Sequence, residues 1–429
     1  MPVAPGVLTP HKLPPRISFL ISAQFFSALA DNALLIVTIA LLIEQGLPAW
    51  WAPLLKFGFT LSYVLLAPFV GPMADAIPKA RLMAWMNGLK AVGVAGLLLG
   101  WHPALAFAVV GLAAAIYAPA KYGLVTEWVK PAQLVAANAW LEVSVVGAAL
   151  LGAVLGGLLV SPWWLALLGW SGITLSVLTS AYTASLLTLL GVYALAGLFN
   201  LGVPDSGATY PPGQHHPWVL VREFWQANGR LWTDSDGGLS LAVTTLFWGL
   251  GATLQLAVLR WAEEVLALPL DLAAYLQAAV ALGVVVGAAA AGRWVPLHQA
   301  RRLVGLGVLL GVLIAAVAIS RSLLVALPLL VLVGATGGVL VVPLNALLQH
   351  RGCQLLSAGR SIAVQGFNEN ASVLVMLALY ALMLGVEVSV VSFISFLGLA
   401  IALAMVLLVA RERRRALQDA ASFVSPSAH

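Results

Sequence analysis

Apolar runs of about 20 residues, enough to carry a helix across roughly 30 Å of hydrocarbon, follow one another along nearly the whole chain. Divided by that ruler and by its Pro, Gly and charged breaks, the sequence predicts twelve spans. They lie at 17–43, 52–74, 80–100, 104–128, 133–160, 179–202, 241–263, 272–292, 303–319, 323–349, 362–385 and 388–410. An all-α polytopic membrane protein follows. With 62% of its 429 residues apolar and only 9% charged, the chain lies far outside the composition of a soluble domain. The stretch 161–180, SPWWLALLGWSGITLSVLTS, is apolar but broken by Pro and Gly, and leaves open an interfacial segment or an extension of a neighbouring helix.

The first span follows Lys12 and Arg16, runs longer than a signal-peptide core, and has no small-residue cleavage site after it. It is expected to be retained. The single cysteine, Cys353, cannot form an internal disulfide, and no Cys/His cluster suggests a metal, so neither metal nor cofactor is expected. Basic residues set the orientation. With both termini cytoplasmic, sixteen of the 21 Lys and Arg fall in inner segments and only Arg321 in an outer loop. The net charge of +5 is then a consequence of topology; no nucleic-acid partner is needed to explain it, and the Arg cluster at 411–415 anchors to anionic membrane lipids.

An internal echo divides the chain. FSALAD at Phe26–Asp31 answers FWGLGA at Phe247–Ala252, and Arg81 answers Arg302, both at an offset of 221; Pro119 answers Pro343 at 224. Two pseudo-symmetric six-helix bundles, 1–203 and 241–410, are expected from such a repeat. Residues 204–240 form a cytoplasmic linker in which Leu220, Phe224, Ala227 and Leu231 recur at helical spacing, the pattern of a helix lying in the interface. Residues 411–429 form a basic tail.

The loop GPMADAIPKARLM, Gly71–Met83, resembles the signature loop of the major facilitator superfamily. Gly71 permits close helix approach, and Asp75 can accept bonds from a helix N-terminus or from Arg81, making a latch that holds in one state only. An ordinary topology-setting loop is the plainer alternative.

An ionised residue at the centre of a span costs roughly 2.5–3.5 kcal/mol, so the buried charges Asp31, Lys90, Lys121, Glu142 and Glu369 require partners or a purpose. Counted along their helices at about 1.5 Å per residue, they form a layer between the midplane and the inner face. Four of them lie on polar stripes at helical spacing, Gln24, Ser27 and Asp31; Tyr117 and Lys121; Asn138 and Glu142; and Gln365, Asn368, Glu369 and Ser372, and Asn345 and Gln349 continue the set. Five spans contributing charges or amides at similar depth point to a shared cavity, with Lys90 as a helix-pairing residue. Lys56 and Arg260, near span ends, are expected to snorkel to the headgroups. The structural alternative makes Asp31, Lys121 and Glu369 ion pairs that lock the two halves. The seven histidines lie in loops or at their edges, which gives a buried proton relay no support.

At these residues the chain also resembles the lysophospholipid transporters of Gram-negative inner membranes. The likeness is carried by AQFFSALADNALL (Ala23–Leu35), APAKYG (Ala118–Gly123), ANAWLE (Ala137–Glu142), TLFWGLGATL (Thr245–Leu254), VVPLNALLQHRG (Val341–Gly352) and AVQGFNENA (Ala363–Ala371). It implies a major facilitator that moves lysophosphatidylethanolamine and related lipids from the outer to the inner leaflet by alternating access. There a partner acyltransferase with acyl-carrier-protein synthetase activity re-acylates them. It also implies that Asp31, Lys121 and Glu369 matter for transport. After FWGLGATL the family tends to carry Arg where this chain has Gln255, which removes a span-one to span-seven ion pair. The expected substrate residues are therefore Asp31, Lys121, Glu369, Glu142, Asn138, Gln365, Asn345, Gln255 and Gln24, and the expected latch is Asp75, Arg81 and Gly71. Lys121 and the carboxylates complement a zwitterionic head. A monomer is expected, and the acidic residues suit sodium, proton or lipid-gradient coupling alike. Competing classes are a major facilitator exporter of drugs or small amphipathic metabolites, and a passive scramblase. A membrane acyltransferase lacks support, since no H-x-x-x-x-D pairing or nucleophile elbow occurs.

Overall fold

In lipid every backbone N–H and C=O must be satisfied within the chain, and helices do this segment by segment. The computed structural model describes residues 13–48, 50–164, 182–208, 210 and 216–424, and among these only helices, turns and loops occur. The helices are α1 Ile17–Glu44, α2 Trp51–Ala76, α3 Lys79–Leu98, α4 Pro103–Trp128, α5 Leu134–Leu159, α6 Thr183–Leu201, α7 Pro217–Thr233, α8 Ser235–Leu266, α9 Leu270–Trp294, α10 Leu306–Ile319, α11 Leu323–Leu355, α12 Ala358–Gly385 and α13 Val390–Val424. Among the described residues eleven helices are long and apolar enough to cross a membrane. The twelfth, α3, is diluted by Lys79, Arg81 and Lys90, but its 20 residues reach about 30 Å and it packs between α4 and α6. Most of the uncertain stretch 161–180, from 165 on, lies outside the described residues.

Helix ends depart from the sequence expectation where local chemistry intervenes. α8 starts at Ser235, upstream of 241, because Asp234 caps it by accepting the Gly237 N–H at 2.8 Å. Partial burial would push the Asp234 carboxyl up, but the Arg351 guanidinium at 3.0 Å and the Gly237 N–H hold it below the usual carboxylate range. α10 starts at Leu306, after a 3₁₀ segment Leu297–Gly305.

Packing repeats after six spans. α1 packs on α5, α2 on α4 and α3 on α6; in the second bundle α8 packs on α12, α9 on α11 and α10 on α13. Each bundle has its own apolar core, one built around Leu34, Val37, Val110 and Leu189, the other around Val258, Trp261, Ile314 and Ile394. The bundles meet chiefly through α2 against α12 and α5 against α9.

That meeting is tightest at the end bearing Lys79, Lys130, Arg293 and Arg360. A Cβ on Gly71 would lie 2.9 Å from the Arg360 Cα, so only glycine lets α2 and α12 approach this closely. Nearby, Asn138 on α5 and Gln349 on α11 exchange two hydrogen bonds, 2.8 and 2.9 Å, and Val135, Ala139, Ala291 and Val342 pack into one apolar seal. α7 covers the α2–α12 seam at the same end. Phe224, Ala227 and Leu231 are buried, Glu223 pairs with Arg360 at 2.9 Å, and Asn228 accepts from Asn368 at 2.7 Å, while Trp218 and Trp225 stay exposed. Away from this end the bundles part around a cavity.

Candidate functional site

Two adjacent chambers share part of their lining. The polar one, about 460 Å³, is lined by Gln24, Ser27 and Asp31 of α1, Lys90 of α3, Tyr117, Lys121 and Tyr122 of α4, and Gln365, Glu369 and Asn370 of α12; Lys56, Thr60 and Tyr63 come from α2. Helical spacing places these side chains on inward faces. The apolar one, about 430 Å³, lies mostly in the second bundle among Leu250, Leu254, Val280, Val284, Ile314 and Val333, with Lys56, Glu142, Gln255 and Gln277 among its few polar groups. Lys56, Val145, Trp248 and Val373 line both chambers and mark their junction.

Within the polar chamber the charges are not equally committed. Asp31 accepts from Lys90 at 2.6 Å through one oxygen and from the Tyr193 hydroxyl at 2.7 Å through the other. Lys90 also donates to Ser27, which donates to Asn87, so α1, α3 and α6 are tied by one network inside the first bundle. Lys121 donates to the neutral Gln24 carbonyl at 2.9 Å and lies 4.1 Å above the Tyr122 ring. Glu369 accepts from Gln365 at 2.8 Å on its own helix. Gln365 also donates to Asn345, and its own carbonyl oxygen has no partner among the described residues.

Asp31, Gln24, Lys121, Gln365 and Glu369 therefore share one void, and Glu142 and Gln255 line the adjoining one. Asn138 and Asn345 line neither. Asn138 belongs to the seal between the bundles, and Asn345 orients Gln365 from behind. No ion pair among Asp31, Lys121 and Glu369 spans the halves; the partner of Asp31 is Lys90. Lys56 departs from the snorkelling expectation, since its ammonium reaches across the cavity to the Gln255 side chain at 3.3 Å. Tyr63, Trp248 and Asn370 line the cavity, and Tyr193 holds Asp31 from behind; a lone polar or aromatic residue on a span carries too little pattern for the sequence to single any of them out.

At the closed end Asp75 accepts the Gly359 N–H at 2.8 Å and the Ser357 hydroxyl, both at the start of α12. Arg81 is exposed, and the base beside Asp75 is Lys79, 3.6 Å away. Lys79 also pairs with Glu127 at 2.6 Å, and Glu127 accepts the Tyr210 hydroxyl at 2.7 Å, bringing the linker into the same cluster. Asp75 lies in the last turn of α2 and Lys79 opens α3, so the short extended link at Ile77 and Pro78 folds the two side chains toward each other. Among the described residues no three His, Cys, Asp or Glu side chains gather in a way that could hold a metal.

Residues 20–352 match the Major Facilitator Superfamily. The chain belongs to that superfamily. The Yersinia pestis (strain Pestoides F) lysophospholipid transporter LplT is 41% identical over 371 residues, covering 86% of this chain and 87% of its own. The LplT of Yersinia pseudotuberculosis serotype O:3 (strain YPIII) is similar to the same extent. Among solved major facilitator structures, a bacterial homologue of the iron transporter ferroportin in an outward-facing state aligns with a TM-score of 0.71 at 15% identity, covering 93% of this chain and 99% of its own. The human organic anion transporter MFSD10 aligns with a TM-score of 0.71 at 15% identity over 92% and 100%, and the transporter FucP in its outward conformation with 0.69 at 14% over 92% and 98%. At such identities these structures establish the shared fold alone.

Proposed function

We propose that this protein carries lysophospholipids from the outer to the inner leaflet of a bacterial inner membrane by alternating access. The observation that carries this reading is the junction of a polar chamber with an apolar one of similar volume, about 460 and 430 Å³. A single-chain lipid has that division. Its ammonium suits Glu369 and the unpartnered Gln365 oxygen, and its acyl chain suits the aliphatic wall of α8–α11. Similarity to LplT supports the same substrate class. The basic ends of the helices favour a cytoplasmic location for the sealed end and both termini, so the open cavity faces the periplasm. Delivered lipid would then meet a re-acylating acyltransferase in the inner leaflet, and the protein acts as a monomer.

Purified protein in liposomes with lysophosphatidylethanolamine confined to one leaflet tests the proposal. Saturable transport of the lysolipid, absent for diacyl phosphatidylethanolamine, is expected; transport of soluble amphipathic drugs with none of lysolipid would install an exporter instead. Lys121→Ala and Glu369→Ala should each reduce the rate about tenfold or more, the effect of a lost charge-assisted bond. Melting temperatures should barely change, because both side chains bond to neutral amides. Wild-type rates in both variants would remove them from the site.

A further inference from the structure

Three lysines line the polar chamber, and they differ in what they hold. Lys90 is bound to the Asp31 carboxylate at 2.6 Å, and Lys121 donates to Gln24 deep among the α1 and α4 side chains. Lys56 stands apart. Its recorded hydrogen bond is a long 3.3 Å contact to the neutral Gln255 side chain across the cavity, and it is exposed to the space it lines. Of the four residues shared by the two chambers, Lys56, Val145, Trp248 and Val373, it alone carries a charge.

We propose that Lys56 is the substrate's phosphate-binding residue, making an anion at the junction of head and chain the feature for which the site selects. This rests on the lipid reading above. In a lysophospholipid the phosphate lies between the terminal headgroup and the glycerol that bears the acyl chain. With the headgroup among Glu369, Gln365 and Lys121 and the chain among the aliphatic residues of the second bundle, the phosphate falls where the chambers join. A lysine there supplies a charge-assisted bond in a region of low dielectric at little cost, because its present partner is uncharged. Selectivity follows. Zwitterionic and anionic lysophospholipids gain this bond alike, and a monoacylglycerol of the same chain, which has no phosphate, binds more weakly without it.

The Gln255 contact also supplies a way to separate position from identity. With the Lys56 nitrogen 3.3 Å from the Gln255 oxygen, an ammonium placed at 255 occupies nearly the same spot from the other bundle. Binding of 1-oleoyl lysophosphatidylethanolamine and of monooleoylglycerol to purified full-length protein in detergent is the measurement, with the melting temperature of each variant. Lys56→Gln should weaken lysophosphatidylethanolamine binding about tenfold or more and leave monooleoylglycerol binding unchanged. Lys56→Arg should retain most of the affinity. Adding Gln255→Lys to Lys56→Gln should restore it. Unaltered lysophosphatidylethanolamine affinity in Lys56→Gln overturns the assignment, as does equal weakening for both lipids or a double variant that stays weak while melting normally. Wild-type protein that binds neither lipid overturns the lipid reading itself, and the assignment with it.

Discussion

Gly123→Cys together with Ala358→Cys, in a chain whose one native cysteine has become serine (Cys353→Ser), is expected to give a transporter that stops when oxidised and resumes when reduced. A Cβ built on Gly123 of α4 lies 3.5 Å from that of Ala358 on α12, within the range a disulfide spans. The obstacle at 123 is the Lys79 side chain, whose Cε would come within 2.9 Å but sits near the end of a flexible chain. The bond would join the two bundles beside the Asp75–Gly359 contact, where Gly71 and the start of α12 are already packed face to face. Alternating access requires these surfaces to separate in every cycle, so a covalent link there should abolish turnover altogether while leaving substrate access to the open side. Binding of lysolipid to the oxidised protein should persist. Lysolipid transport in proteoliposomes, measured before and after dithiothreitol, decides the matter. Undiminished transport by fully cross-linked protein would mean that this end stays closed throughout the cycle, and the rocking mechanism would fail.

The spans were legible because lipid imposes a length and a composition that survive in a single sequence. The repeat was legible for a similar reason. The offset that relates Phe26–Asp31 to Phe247–Ala252 and Pro119 to Pro343 pairs α1 with α8 and α4 with α11, and the matching helix contacts in the two bundles follow the same correspondence. What the sequence could not convey was rotation. Asn138 and Glu142 lie one turn apart on α5, yet one enters the seal between bundles and the other lines the cavity. Lys90 and Lys121 lie at similar depth on neighbouring spans, so depth could not say which would neutralise Asp31. Lys56 looked like a headgroup anchor because it stands five residues into α2, where a long basic side chain usually reaches for water. Here the side chain turns into the cavity instead. The Asp75 latch was partly visible. A helix N-terminus was among its expected partners, but Lys79 stands where Arg81 was expected, because α3 begins at Lys79 and turns Arg81 outward.

Asp31→Ala should be the most damaging single substitution in the cavity, and for two separable reasons. Lys90 is 2% exposed and Asp31 14%, so removing the carboxylate strands an ammonium in a nearly dry site with Ser27 as its remaining acceptor. Breaking a buried pair in this way costs roughly 3–5 kcal/mol, a large part of the stability of an ordinary domain. Tyr193 loses its acceptor as well, loosening α6 from α1. Reduced expression, a lower melting temperature and lost transport are expected together. Asp31→Leu with Lys90→Met separates the causes, because replacing both members of a buried pair by apolar groups of similar size is often neutral for stability. The double variant should recover most of the lost melting temperature, falling short of the wild type by the Tyr193 hydroxyl left without its acceptor. Its transport should nevertheless stay about tenfold or more below wild type if the headgroup enters this chamber as proposed, because its polar wall has become apolar and the desolvated head finds fewer partners there. If transport instead returned with stability, the pair would serve only to hold α1, α3 and α6 together, and headgroup recognition would fall to Lys121, Glu369 and Lys56.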